Sequence, residues 1–220
     1  MTAPQALQRL LTWLSPAFPI GAFAWSAGLE TAIAGRQVRD QATTMAWVSG
    51  NLHHGGPRTD AILLAHAYRA IGERATLAEL ADLCLALTPA RERHEETLAL
   101  GNAFMAAASA WPSPLYRNLP AACPYPIAVG AVAAANGVAL DDTLVAFLSA
   151  IVQGQVSVAL RLVPLGQTAG LAVIAGLEGE VSAIAAAAST ATLADIGSIA
   201  YATDIAQMRH ETLGTRIFRS

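Results

Sequence analysis

The stretch that decides the fold class is residues 141–162, which read DDTLVAFLSAIVQGQVSVALRL. After the two opening aspartates the next charge is Arg161, so the helix that this pattern predicts is apolar on nearly every face. A membrane span is disfavoured, because Gln153 to Gln155 interrupt the run and much of the apolar content is alanine, which inserts weakly. We therefore predict that this stretch lies at the centre of a helical bundle.

The shortage of charge extends to both sides of this stretch. Between Asn118 and Leu177 the only charged residues are Asp141, Asp142 and Arg161, and charged residues make up 13% of the whole chain. That share is about half of the share in an average soluble protein. Either a membrane or a partner protein covers the surplus apolar surface. We favour a partner, with a membrane-associated helical protein as the alternative.

Helical patterns recur along the rest of the chain, and strand patterns are scarce. We expect Asp40 to cap one helix, and Thr76 with Glu79 to form a capping box for another. About ten helices are predicted, over Pro4–Leu14, Ala22–Ala34, a segment beginning at Asp40, Asp60–Ile71, Thr76–Leu87, Thr88–Ala110, Ile127–Ala135, Asp141–Leu162, Gln167–Leu177, Val181–Ser189 and Asp204–Thr212. Because no internal repeat divides the chain, we predict an all-α, single-domain helical bundle over residues 1–220.

The usual catalytic motifs are missing from the sequence. The chain has no lysine, so no glycine-rich loop can place a lysine against a nucleotide phosphate. No GxSxG or Cys–His arrangement indicates a nucleophile, and Cys84 and Cys123 lack the CxxC spacing. An isoelectric point near 5.9 without a basic cluster argues against binding of nucleic acid. We therefore predict no catalytic residue and no cofactor.

The histidines are the candidates for a metal site. His53 and His54 are adjacent, so on a helix their side chains point about 100° apart and do not readily chelate one ion. No pair of histidines has the i, i+4 spacing of a helical metal site, and no acidic cluster joins them. We predict no metal site, and the alternative is a small α-helical metal-dependent hydrolase that uses His53 or His66 with nearby acids.

The densest run of charge, Arg91 to Glu96, reads RERHEE. Arg91 and Glu95 share one face of a helix, which favours a solvated surface over an active site with paired carboxylates. We interpret the whole run as solvent-exposed.

Two segments indicate contacts with other proteins. Between Trp13 and Glu30, four aromatic residues surround two prolines and Gly21, although a turn that fills the core would explain this pattern too. At the C-terminus, Ile217 and Phe218 lie between two arginines. Chain ends usually fray, and an aromatic residue between arginines is typical of a docking peptide that orders when it binds. We predict that residues 212–220 form a flexible docking tail.

Several stretches, in order over nearly the whole chain, resemble the UreF family of urease accessory proteins. They are Leu14–Glu30, Asp60 with Ala67–Ala70, Pro89–Gly101, Tyr125–Gly130, Arg161–Gln167, Met208–Thr212 and Arg216–Ser220. Each stretch alone is modest support, but all of them in register are highly specific.

The resemblance implies an all-helical homodimer in the cytoplasm. It implies a nickel-insertion chaperone that forms a complex with UreD (also called UreH) and the GTPase UreG, and that acts on the urease apoprotein. Such a protein is not itself the GTPase; it couples GTP hydrolysis by UreG to assembly of the nickel metallocentre.

The resemblance also implies which residues bind these partners. Glu30, Arg161 and Gln167 resemble positions tied to UreG, and Arg209, His210, Glu211, Arg216, Phe218 and Arg219 resemble the segment that orders against UreD. Arg161 has an alternative, an ion pair with an acid of the same chain. Leu213 and Gly214 depart from the family pattern, which commonly has a glutamine and an aromatic residue there, so the tail contact is expected to be weaker or differently seated.

Overall fold

Helices account for all the regular structure of the computed structural model, which describes residues 2–197 and 199–220. The prediction of an all-α fold of about ten helices is confirmed. The helices are α1 (Ala3–Trp13), α2 (Leu29–Ala34), α3 (Gln41–His54), α4 (Gly56–Arg69), α5 (Arg74–Ala86), α6 (Arg91–Ala108), α7 (Tyr125–Ala135), α8 (Leu140–Leu162), α9 (Gln167–Thr190) and α10 (Tyr201–His210). Short 3-10 turns lie at Ala22–Ala24, Pro114–Asn118 and Leu193–Asp195.

The centre of the bundle is α7, whose residues Pro126 to Ala133 are all buried. This helix packs most extensively against α4 and also against α6. The inner face of α8 adds the fully buried side chains Leu144, Phe147 and Leu148. The sequence therefore located the core correctly for α7 and for one face of α8, but α9 leaves much of its surface exposed because its outer residues are mostly alanine and glycine.

Two of the predicted divisions of the chain into helices are wrong. Residues 22–34 do not form one helix, because Ala27 (φ 52°) and Gly28 (φ 81°) take left-handed conformations and separate a 3-10 turn from α2. Conversely, α9 continues through the predicted break near Gly179, since a glycine on an exposed helix face costs only about 1 kcal/mol and need not end the helix.

The two predicted caps have different outcomes. Asp40 caps α3, and its carboxylate accepts a hydrogen bond from the Thr43 amide at 2.9 Å. Thr76 does not cap α5, which already begins at Arg74; its hydroxyl donates to Glu73 at 2.9 Å instead.

Two helices of the described residues, α8 and α9, are long and apolar enough to cross a membrane by length and composition. Core helices of soluble proteins share these properties, and half of the apolar window in α8 is buried within the fold.

The contact between α4 and α7 depends on Gly130. A Cβ atom at this position would lie 3.1 Å from the carbonyl carbon of Leu64 and 3.2 Å from the amide nitrogen of Tyr68, and closer still to the Leu64 carbonyl oxygen. These neighbours are backbone atoms of α4, so they cannot move aside without separating the two helices.

We expect Gly130→Ala to lower the free energy of unfolding by about 1–3 kcal/mol, the usual cost of overpacking a core. The matched control is Gly179→Ala in α9, where no atom lies within 4 Å of the new Cβ. This control should stabilise the chain by about 0.5–1 kcal/mol through helix propensity. Urea denaturation measures both values, and equal effects of the two substitutions would contradict the close packing at Gly130.

Candidate functional site

The C-terminal tail, residues 212–220, returns from the end of α10 to the turn that precedes α2. The Arg219 amide donates to the carbonyl oxygen of Ala24 at 2.8 Å, and the Ser26 amide donates to Ser220 O at 2.9 Å. The Ser26 hydroxyl also donates to Ser220 O, and the Ala27 amide donates to Ser220 Oγ at 3.2 Å. The end of the tail is thus bonded along the backbone of residues 24–27.

Glu30, in the first turn of α2, holds the preceding part of the tail. Its Oε1 accepts the Ile217 amide at 2.7 Å, and its Oε2 accepts the Phe218 amide at 3.0 Å. Burial raises the pKa of Glu30, but the hydrogen bonds from His210 and from these two amides outweigh burial and leave the pKa below its ordinary value. The ionised carboxylate of Glu30 therefore holds the tail in place by accepting hydrogen bonds from its backbone.

His210, the last residue of α10, is fully buried between two carboxylates. Its Nδ1 lies 2.7 Å from Glu92 Oε2, and its Nε2 lies 3.0 Å from Glu30 Oε2. Arg216 reaches the other oxygen of Glu92 at 2.7 Å. Both ring nitrogens of His210 thus face a carboxylate oxygen, and we term the group of Glu30, Glu92, His210 and Arg216 the tail cluster.

Phe218 anchors the tail in a second, smaller apolar core. Its ring is buried beside Leu29 and Val158, among other apolar residues of α2 and α8. The guanidinium carbon of Arg161 lies 5.5 Å from the centre of this ring. That of Arg219 lies 4.7 Å from the centre of the Trp25 ring. These distances are typical of cation–π contacts.

The structure bears on one of the two interpretations of Arg161, the ion pair within the chain. No ion pair involving it occurs among residues 2–197 and 199–220, so the alternative of an intrachain acid partner is not supported. Instead Nη1 donates to the carbonyl oxygen of Phe23 at 3.2 Å, and the side chain stays exposed.

The structure brings most of the predicted partner-binding residues together, but in two roles. Glu30, His210 and Phe218 are buried, so they hold the tail and do not offer side chains to a partner in this arrangement. Arg161, Arg209, Arg216 and Arg219 are exposed beside it. The flexibility expected of residues 212–220 stays a prediction; here Phe218 and Ser220 are buried in the chain's own fold.

Two further predicted residues lie at the margin of this region. Glu211 accepts a hydrogen bond from the Arg91 amide at 3.2 Å and forms an ion pair with the Arg91 side chain at 3.5 Å. Gln167 begins α9 and is exposed, and no hydrogen bond in the described part of the chain joins it to the tail cluster.

The charge run of residues 91–96 was misinterpreted in part. Arg91 and Glu95 are exposed as expected, but Glu92 and Glu96 are buried. Arg93 pairs with Asp60 at 2.5 Å and with Glu96 at 3.4 Å. Burial raises the pKa of both Asp60 and Glu96 in spite of the arginine between them. The spacing shows that Glu92 and Glu96 share one helix face, but Arg91 and Glu95 share another, and the sequence does not tell which of the two faces is buried.

The sequence analysis also missed an exposed apolar stripe on α10. Tyr201, Ile205 and Met208 recur at helical spacing and are all exposed, while Gln207 and His210 on the opposite face are buried. The spacing i, i+4, i+7 could be read from the sequence, but whether this face of α10 points to the core or to solvent could not.

The histidines proposed for the alternative hydrolase lie in structural contacts. His53 Nε2 is 3.0 Å from Glu180, which also accepts the Ser49 hydroxyl at 2.7 Å. His66 Nε2 is 3.1 Å from the carbonyl oxygen of Ala191. Within residues 2–197 and 199–220, no group of three or more His, Cys, Asp or Glu side chains is placed to hold a metal ion.

Comparison with known proteins places these features in a family. The UreF family model matches residues 38–178. The urease accessory protein UreF of Rhizobium johnstonii is 50% identical over 216 residues, covering 98% of this chain and 97% of that protein. The UreF proteins of Agrobacterium fabrum (50% identical, 98% and 96% covered) and Rhodopseudomonas palustris (49% identical, 98% and 93% covered) are similar to it as well.

We expect Glu30→Gln to lower the free energy of unfolding at neutral pH by about 1–3 kcal/mol, because a neutral amide weakens the bonds from His210 and the tail. Folding lowers the pKa of Glu30 below 4.5, so the folded chain binds fewer protons there than the unfolded chain. The ionised carboxylate therefore stabilises the fold fully at pH values above its ordinary pKa of 4.5. This stabilisation is lost as the pH falls through the lower pKa that Glu30 has in the folded chain.

Urea unfolding at neutral and at acidic pH measures the difference in the free energy of unfolding between Glu30→Gln and the parent chain. The difference should be constant at neutral pH and shrink once the medium is more acidic than the ordinary pKa of 4.5. The exposed Glu95→Gln serves as the control and should change little at any pH. A Glu30→Gln penalty that does not depend on pH would contradict the role of the ionised carboxylate.

Proposed function

Since the chain belongs to the UreF family of urease accessory proteins, we propose that it is a non-catalytic chaperone that joins UreD and the GTPase UreG to the urease apoprotein. In this function it couples GTP hydrolysis by UreG to assembly of the nickel metallocentre. We also propose that it acts in the cytoplasm as a homodimer.

The observation that carries this proposal is an exposed surface around the docked tail. Ile217 and Phe23 are 71% and 70% exposed, and Arg161 and Arg219 lie beside them. Exposed apolar side chains framed by arginines are typical of interfaces, where aromatic residues and arginine supply much of the binding energy. Tyr201, Ile205 and Met208 on α10, the helix that leads into the tail, are a second group of exposed apolar side chains. We term the whole the tail face.

The chemistry of the tail face supports one kind of partner. Glu30 and Glu92, the acids that bond the tail, are engaged inside the tail cluster. Arg161 and Arg219 beside the tail are exposed. A complementary surface has apolar pockets with carboxylates at their rim. We assign the tail and the α10 stripe to UreD, and Arg161 with Gln167 to UreG.

Ile217→Asp tests the assignment of the tail to UreD. Its side chain is exposed while its amide holds Glu30, so the substitution changes the face and keeps the backbone bond. Burying an unpaired carboxylate at an interface should reduce copurification of UreD at least about tenfold in a coexpression pull-down.

Leu7→Asp in α1 is the control for Ile217→Asp, because Leu7 is also exposed and no hydrogen bond or ion pair of the described residues joins α1 to the tail. Deleting residues 212–220 should also abolish copurification, with the helical circular-dichroism signal retained. Normal recovery of UreD with Ile217→Asp or with the deletion would rule out the docking role of the tail.

Arg161→Ala tests the second assignment. The side chain is exposed and contacts the Phe23 carbonyl and the Phe218 ring, so its loss should cost less than about 1 kcal/mol of stability. We expect urease activation in cells to fall severalfold, with a near-normal thermal unfolding midpoint. A variant that activates urease normally, or that fails only because it unfolds, would oppose a direct role of Arg161 in partner control.

A further inference from the structure

A pocket of about 220 Å³ opens at the surface beside the turn that precedes α2. Its exposed lining residues, which include Phe23 and Gln153, form the mouth. Trp13, Trp25 and Phe147 are buried and form aromatic walls further in. The pocket has room for several water molecules or for one small organic molecule.

Several buried polar atoms of the lining residues have no hydrogen-bond partner in the described part of the chain. The acceptors are Asn51 Oδ1, Glu96 Oε2, Gln155 Oε1 and Gln207 Oε1, and the donor is Trp13 Nε1. All five residues are more than nine-tenths buried. Unpaired buried atoms are rare in native proteins, so their clustering around one pocket requires an explanation. An amide can turn to offer either its oxygen or its nitrogen, but an ionised carboxylate only accepts, so the pocket mainly lacks donors.

The interior of the pocket is also short of positive charge. Arg93 serves two carboxylates there, Asp60 at 2.5 Å and Glu96 at 3.4 Å, and all three residues line the pocket. Burial raises the pKa of both acids, and when both are ionised one guanidinium leaves a net negative charge. The other arginine of the lining, Arg161, is exposed at the mouth, where water screens its charge. A second cation inside the pocket would balance the charge.

The walls of the pocket favour an organic cation over a metal ion. The indole rings of Trp13 and Trp25 attract a cation, and Leu100 and Phe147 offer apolar surface to a hydrocarbon stem. A hard metal ion needs several oxygen ligands at close range. Among residues 2–197 and 199–220, no three side chains of His, Cys, Asp or Glu are arranged to supply them.

We propose that this pocket binds a small organic cation with N–H donors, of the primary-ammonium or guanidinium class. The charged head of the ligand meets the Glu96 carboxylate and the unpaired amide oxygens. Its hydrocarbon part lies along the aromatic walls toward the mouth. The site belongs to the isolated chain, and it does not rest on the proposed function.

Titration of the full chain with n-butylammonium tests this site, and NMR of the tryptophan indole N–H groups is the readout. Trp13 and Trp25 line the pocket, whereas Trp47 and Trp111 do not and serve as internal controls. We expect saturable shifts of the Trp13 and Trp25 signals alone, with a Kd on the order of 1 mM for so small a ligand.

Butyrate and n-butanol share the hydrocarbon stem of the probe and replace its charge. Each should bind at least about tenfold more weakly than n-butylammonium, because neither is a cation. Equal binding of the three probes would show that the pocket is only apolar and would overturn the proposal. Mg²⁺ that shifts the same signals at lower concentration, or no saturable shift with n-butylammonium, would overturn it as well.

Glu96→Gln removes the carboxylate with the unpaired oxygen and should weaken binding of n-butylammonium at least about tenfold, with little effect on n-butanol. Glu95→Gln, on the exposed face of α6, is the matched control and should leave both affinities unchanged.

Gln155→Leu is a second variant, which decides the matter if Glu96→Gln does not fold. It replaces a buried amide that has an unpaired oxygen by an apolar side chain of similar size, so the chain should stay folded. We expect the affinity for n-butylammonium to fall severalfold, and Gln153→Leu at the exposed mouth to leave it unchanged. An affinity within about twofold of the parent in either folded variant, Glu96→Gln or Gln155→Leu, would overturn the proposal.

Discussion

The carboxylate of Glu30 joins α2 to the end of α10 and to the tail, both of which are distant from it in sequence. It belongs to α2, it faces His210 at the end of α10, and it accepts the amides of Ile217 and Phe218 in the tail. Without this anion, His210 would face Glu92 alone and two tail amides would lose their acceptor. The position of Phe218 in the smaller core, and the bonds from the tail to residues 24–27, follow from it.

Some of the charged side chains form two largely buried groups. One is the tail cluster, and the other is Arg93 between Asp60 and Glu96. Both groups draw on α6, which presents Glu92, Arg93 and Glu96 to the interior and leaves Arg91 and Glu95 outside. A buried charge is tolerated only when it is paired, so each group sets where its helices meet. The tail face presents arginines and exposed apolar side chains, and the two acids that bond the tail, Glu30 and Glu92, are engaged within the tail cluster.

Part of the site was predictable from the sequence. Glu30, Arg161 and the tail residues were identified by resemblance to a family. The structure brings Glu30, His210 and Phe218 into contact and joins Arg216 to them through Glu92. Their roles could not be predicted, because burial depends on which helix face meets which neighbour. Glu92 was missed for this reason: in the sequence it is one more charge in a polar run, and only the packing of α6 beside α10 makes it a partner of His210.

The sequence by itself determined the all-α class, most helix positions and the family, because helical periodicity, prolines and capping residues act locally and the family motifs are linear. It could not show that Ala27 is left-handed, that α9 is one helix, or that the tail closes on residues 24–27. The tertiary structure decided these features, since each depends on hydrogen bonds or packing between residues far apart in the chain. The stretch at residues 141–162, which has no charge between Asp142 and Arg161, predicted that a bundle forms, and the long-range contact of Glu30 with the tail decided which surface the bundle presents.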